Sequence, residues 1–121
     1  AKKDDSLYEV IVNMFLSDVG SIFIIDDDEN LCGIVSRKDL LKATIGGADM
    51  NKMPIGMIMT RTPNIITVEK EDSVIIVAKK IIEHEIDSIP VVENLDDNRC
   101  KIVGKISKTN ITKLFLEMVD N

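Results

Sequence analysis

The sequence has little cysteine, a single histidine and no surplus of basic residues. Fifteen Lys and Arg stand against twenty-one Asp and Glu, for a net charge of −6 over 121 residues. A surface of that sign repels a phosphate backbone, so direct nucleic-acid binding by this chain is disfavoured. Cys32 and Cys100 lie far apart with no C-x-x-C, and read as small buried hydrophobes in a reducing cytosol. His84 sits late in a helix-like stretch between Glu83 and Glu85. It reads as a surface or capping residue, and no spacing pairs it with either cysteine as a Cys–His hydrolase would need. No apolar run approaches the ~18 residues of a membrane span, and no basic segment precedes an apolar one as in a signal peptide. The phosphate-loop, dinucleotide-binding and zinc-protease motifs are all missing. Catalysis is disfavoured by these gaps, and a cytoplasmic protein without membrane contact is expected.

What the chain does have is a repeat. Asp5-Ser6-Leu7 returns as Asp72-Ser73-Val74, Ser21-Ile22 as Ser88-Ile89, and Ile24-Ile25 as Val91-Val92, at a constant offset of 67. Beyond an acidic turn the offset becomes 71, which matches Gly33-Ile34-Val35-Ser36 to Gly104-Lys105-Ile106-Ser107. The second copy therefore has four extra residues, expected in a loop around 94–99, because loops absorb insertions.

Each copy reads as helix, two strands, helix. Ser6 and Glu9 form a capping-box pattern before Leu7, Val10, Ile11, Met14 and Phe15, one apolar face at helical spacing. Ser21–Ile25 and Leu31–Val35 are β-branched runs around Asp26-Asp27-Asp28-Glu29-Asn30, a hairpin. That acidic turn could attract a cation, but it lacks the alternating ligands and glycine of a calcium loop and reads as a solvated turn. Ser36 caps a second helix that Gly46-Gly47 stops. In the second copy the helices are expected over about 73–84 and 108–119, and the strands over about 88–92 and 101–106. A lead-in precedes it: a helical turn at 57–60, then a strand over 65–68. The first copy starts abruptly at Asp4-Asp5 without that lead-in, so the chain reads as a fragment.

The doubled unit strand–helix–strand–strand–helix, closed each time by Gly-x-x-Ser-x-x-Asp/Asn, resembles the CBS-domain pair, or Bateman module. The residues that carry the resemblance are Met59–Pro63, Asp87–Val92, Gly33–Asp39 and Gly104–Asn110. Val35–Lys42 and Ile58–Asn64 further resemble the regulatory half of bacterial repressors of gluconeogenic genes, in which a winged-helix domain precedes a CBS pair. The resemblance implies an α/β (α+β) fold of two repeats packed about a pseudo-twofold axis. The first repeat would span 4–48 with its first strand missing, a linker 49–56, and the second repeat 57–121. It also implies clefts for an adenine nucleotide (AMP, ADP, ATP or a dinucleoside polyphosphate), with no cofactor in the catalytic sense.

On that resemblance one cleft would gather Ser36, Arg37, Lys38, Asp39, Arg61, Thr62, Asn64, Ile65, Ile66, Ser88, Ile89 and Pro90. A second, incomplete cleft would gather Gly20, Ser21, Ser107, Lys108, Thr109 and Asn110. The same residues admit a plainer reading. Ser36 with Asp39, and Ser107 with Asn110, are capping pairs at helix starts. A helix N-terminus with Asp39 beside it equally suits a phosphate and a ribose. Arg37, Lys38 and Lys108 oppose the macrodipole where they stand, which favours function over stability.

Two classes of function remain at this point. One is a nucleotide-sensing effector module of a repressor, touching DNA only through an upstream domain. The other is a dimerisation module with vestigial clefts, or the CBS pair of another regulated protein. Surplus apolar residues on the first helices (Tyr8, Val12, Leu16, Ile75 and Ile76) lead us to expect a homodimer.

Overall fold

The computed structural model describes residues 1–47, 49–62, 64–96 and 98–120. Among them the order is α1 (Leu7–Ser17), β1 (Ser21–Ile25), β2 (Leu31–Ser36), α2 (Arg37–Ile45), β3 (Thr60–Arg61), β4 (Val68–Glu69), α3 (Val74–Glu83), β5 (Ser88–Asp96), β6 (Arg99–Ser107) and α4 (Lys108–Asp120). The strands form two three-stranded sheets, β1-β2-β3 and β4-β5-β6, antiparallel except for the parallel β4–β5 pair. The fold is therefore the mixed α+β repeat expected from the sequence. The helices start where hydroxyl side chains accept free N–H groups: Ser6 from Glu9 at 3.2 Å and Ser73 from Ile76 at 3.3 Å.

Four local expectations are corrected. The helical turn comes earlier, as a 3₁₀ turn over Ile55–Met57 following Pro54. The lead-in strand is split: Thr60–Arg61 pairs with Gly33 and Ile34 of the first copy, and only Val68–Glu69 pairs with β5. Ile65 is instead turned into the core between the copies, so the 65–67 stretch leaves the ladder. The extra residues of the second copy lengthen its hairpin, with Asn94 opposite Cys100 and Asp96 opposite Arg99, rather than forming a loop. Phe15 is 83 % exposed. At 3.6 residues per turn it lies about 80° round from Leu7, at the edge of the buried stripe.

The first copy also keeps one residue of a lead-in. The Ala1 amine donates to Phe23 O at 3.2 Å and Ile25 N donates to Ala1 O at 2.9 Å. Ala1 thereby flanks Ile24 as Val68 flanks Val91 one repeat later. The stretch read as a linker is packed: Ile55 is fully buried in the first copy's core with Leu7, Val10, Val35 and Met59. Its N–H donates to Asp5 O at 2.7 Å.

The acidic turn is held by its own carboxylate. Asp26 Oδ1 accepts from the Asp28 and Asn30 N–H groups, both at 2.9 Å. The Asn30 N–H above all holds the Asp26 carboxyl below the ordinary aspartate range. Cys32 and Cys100 are free and half-buried, and burial pushes both thiols above their usual range.

The copies meet at a pseudo-twofold axis marked by residues that touch their own repeat equivalents. The Ser21 and Ser88 hydroxyls lie 2.7 Å apart. Asn30 bridges Lys101. Gly20 lies against Asp87 so closely that a Cβ there would fall 2.6 Å from Oδ2. Around these points a third core forms from both copies, with Leu31, Ile65 and Val92 buried at its centre. On the outside, each copy leaves an apolar groove between its two helices. One, of about 500 Å³, is lined by Ile11, Met14, Phe15, Leu40 and Leu41. The other, of about 390 Å³, is lined by Ala78, Ile81, Ile82, Ile111 and Phe115.

Leu31 is the test of the shared core, being 3 % exposed and in a cluster drawn from both copies. Leu31→Ala is expected to cost about 2–5 kcal/mol, by lost transfer energy plus an unfilled cavity. Urea unfolding measures it. A loss below about 1 kcal/mol would mean that the copies hold together without this core.

Candidate functional site: a cleft across the pseudo-twofold axis

A cavity of about 540 Å³ opens where the copies meet, within the size range of small-molecule sites. One wall is the N-terminal turn of α2, with Ser36, Arg37, Lys38 and Asp39. The facing wall comes from the lead-in of the second copy, with Thr60, Asn64, Ile65 and Ile66. The C-terminal end of α3 and the following turn add His84, Glu85, Ile86, Asp87 and Ser88, and the floor carries Gly20, Ser21 and Ile34.

The α2 wall is held by a complete capping box. Asp39 N donates to Ser36 Oγ at 3.3 Å, while Asp39 Oδ2 accepts from Ser36 N at 2.9 Å and from the Ser36 hydroxyl at 3.1 Å. Both bonds fall on one carboxylate oxygen. Oδ1 makes no hydrogen bond among the described residues, and the side chain is half-buried. An ionised carboxylate with a free oxygen at the mouth of a cavity can accept a ligand's hydroxyl groups. The start of α2 carries the positive end of its dipole, which favours an anion, although Arg37 N already donates to Gly20 O at 3.2 Å and Asp39 N to Ser36 Oγ.

Ser107 and Asn110 make the same box at the start of α4: Ser107 N to Asn110 Oδ1 at 3.0 Å, Ser107 Oγ to Asn110 Oδ1 at 2.9 Å, and Asn110 N to Ser107 Oγ at 3.1 Å. Here the environment differs. Asn110 is exposed and Asp39 is not. Lys108 and Thr109 are exposed too; Lys108 borders the α3–α4 groove and reaches Asp87 Oδ1 at 3.3 Å. The caps are duplicated while the surroundings are not.

The structure brings Ser36, Arg37, Lys38, Asp39, Asn64, Ile65, Ile66 and Ser88 together around one cavity. It places Arg61 elsewhere: its guanidinium donates to Gly56 O at 2.7 Å, and it borders a separate depression with Lys2, Lys3 and Asp26. Thr62 borders that depression as well. Ile89 and Pro90 are fully buried in the strand behind Ser88. Pro63 lies outside the described residues.

Gly20 and Ser21, expected in the other cleft, line this one, with the Ser21 hydroxyl against that of Ser88 on the axis. The reading missed Thr60, Ile34 and the whole α3 end. The repeat carried a signal for the last of these: Gly20-Ser21 is equivalent to Asp87-Ser88, so whatever lies at one lies at the other.

Two sheet-and-helix copies joined by a cross-axis cavity define a tandem module, and its family is shown by sequence. The profile of the CBS domain matches residues 1–46 and 55–117, and the chain belongs to the CBS domain family. Among characterised relatives, the transcriptional repressor CcpN of Bacillus subtilis is 43 % identical over 116 residues, 96 % of this chain and 54 % of its own length. The chain thus spans about half of that repressor. Protein YlbB of Bacillus subtilis is 36 % identical over 89 % of this chain and 72 % of its own length. Among solved structures, the CBS domain pair of protein MJ0100, in complex with 5′-methylthioadenosine and S-adenosyl-L-methionine, superposes with a TM-score of 0.77 at 31 % identity. That match covers 97 % of this chain and 86 % of the other.

Proposed function

We propose that this chain is a regulatory module that binds an adenine nucleotide in the cross-axis cavity and passes its bound state to a DNA-binding domain of a transcriptional repressor. The observation that carries the reading is Asp39: a half-buried carboxylate lining the cavity, with one oxygen held by its cap and the other without a hydrogen bond among the described residues. A ribose presents the paired hydroxyls such an oxygen accepts, and the α2 N-terminus with Arg37 and Lys38 suits a phosphate. Support for the adenine comes from the MJ0100 domain pair, solved with two adenosine compounds. Support for the repressor comes from CcpN.

Contact with both copies gives the signal a route. A ligand that touches both Asp39 and Asn64–Ser88 contacts both copies, so it favours whichever arrangement of the copies fits it best. The module works by binding and not by catalysis, and the cytoplasm is the compartment that suits a repressor.

A homodimer completes the proposal. Phe15 and Ile82 are repeat equivalents, and both stand exposed, at 83 % and 75 %, on the two helical grooves. Tyr8, Leu16, Ile75 and Ile76 are exposed beside them, with Val12 half-buried. A second copy presenting the same two grooves about a twofold axis is the self-complementary partner for such a surface.

Calorimetric titration of AMP into three proteins tests the site. Asp39→Asn keeps the cap, since Asn110 makes the same bonds in the other copy, but removes the charge. It is expected to weaken binding about ten- to a hundred-fold, the cost of a charge-assisted hydrogen bond. Its melting point should stay near the parent's. Asn110→Ala is expected to change affinity less than about threefold, which is under 1 kcal/mol. Equal losses in the two variants would contradict the assignment of the ligand to the Asp39 cavity.

Light scattering tests the dimer. The parent is expected at twice the chain mass at tens of micromolar, and Phe15→Glu/Ile82→Glu at the monomer mass. A parent monomer would remove the dimer from the proposal.

A further inference from the structure

The two copies repeat their fold but not the outer face of their first helices. Tyr8, Val12 and Leu16 stand at i, i+4 and i+8 on α1, within about 80° around its axis. Tyr8 and Leu16 are exposed and Val12 is half-buried. At the offset of 67 their equivalents on α3 are Ile75, Lys79 and Glu83, all exposed. One stripe is therefore apolar throughout, while the other begins apolar and ends in two opposite charges. Those charges are uncommitted. Lys79 and Glu83 make no ion pair among the described residues, whereas the neighbouring Lys80 donates to Thr67 O at 2.8 Å. The one charged residue of α1, Glu9, stands in its first turn, where the helix dipole favours it.

A second copy can meet these faces in two ways. Head to tail, α1 of one chain lies on α3 of the other, and Lys79 and Glu83 are pressed against Val12 and Leu16. That takes two charges out of water and gives them no partner, which is costly. Head to head, α1 lies on α1 and α3 on α3 about one twofold axis. Tyr8, Val12 and Leu16 of the two chains then cover one another. Lys79 of each chain comes opposite Glu83 of the other, since under a twofold each contact is made twice. The grooves differ in the same sense. The larger, of about 500 Å³, lies beside Phe15, and the smaller, of about 390 Å³, beside Ile82. Like-on-like pairing gives the larger side chain the larger groove.

We propose that the dimer is head to head: α1 packs on α1 of a second copy as an apolar contact, and α3 on α3 with Lys79–Glu83 pairs that reject the opposite orientation. The inference rests on the homodimer reading above and goes beyond it by fixing which surfaces meet.

Sedimentation equilibrium on the parent, Lys79→Glu, Glu83→Lys and Lys79→Glu/Glu83→Lys tests the pairing. Each single change sets like charges opposite one another and is expected to weaken dimerisation at least about tenfold, while the double change restores it to within about threefold of the parent. Cross-linking with a short bis-maleimide, in a Cys32→Ala/Cys100→Ala background, reads the orientation independently. Val12→Cys is expected to cross-link to itself, and not to Lys79→Cys when the two are mixed. Single changes without effect, a double change as weak as either single, or a Val12→Cys cross-link formed only with Lys79→Cys overturns the head-to-head arrangement while leaving the dimer standing. A monomeric parent overturns the dimer and its orientation together.

Discussion

The structure depends on the contact of two copies along a line where equivalent residues meet. Two three-stranded sheets, each with a pair of helices, leave a face unburied until they are brought together. The Ser21–Ser88 hydroxyl pair, the Asn30–Lys101 bridge and the close approach of Gly20 to Asp87 set the distance between the copies. Leu31, Ile65 and Val92 supply the burial, each side chain contributing about 1.5–3 kcal/mol when removed from water. The candidate site follows from the same contact. Its floor is Gly20 and Ser21 on the axis, and its walls are the start of α2, the lead-in of the second copy and the end of α3. A cavity built this way reports the relative placement of the copies, which a cavity inside one copy would not.

Most of the fold was legible because the repeat exposed each element twice. Ser21–Ile25 was bounded correctly from β-branched residues alone, and the caps at Ser6, Ser36 and Ser73 mark the helix starts. What escaped the reading depends on tertiary partners. The lead-in is shared between two sheets, because Thr60–Arg61 finds an open edge on β2 and Ile65 finds the inter-copy core. Neither partner is adjacent in sequence. Phe15 satisfies the helical spacing and is nonetheless exposed, because a position at the edge of a stripe is decided by what lies opposite it.

The site divides in the same way. Asp39 and its neighbours could be read from the motif that closes the repeat, and Asn64–Ile66 from the lead-in, and these do meet around one cavity. Arg61 could not, since its guanidinium is drawn to a backbone carbonyl five residues back. Glu85 carries no motif at all, and its place at the cavity is visible only in three dimensions. Capping does not use up the Asp39 carboxylate, since the cap occupies one oxygen and leaves the second. The surroundings, not the cap, distinguish Asp39 from Asn110.

The central claim is that one adenine ligand sits across the axis, touching both copies at once. Amide chemical shifts followed during a titration with AMP test this most directly. Ser36–Asp39 and Asn64–Ile66 are expected to shift together on a single binding curve, with Ser107–Asn110 unmoved. Shifts confined to one copy, or centred on Ser107–Asn110, would contradict it.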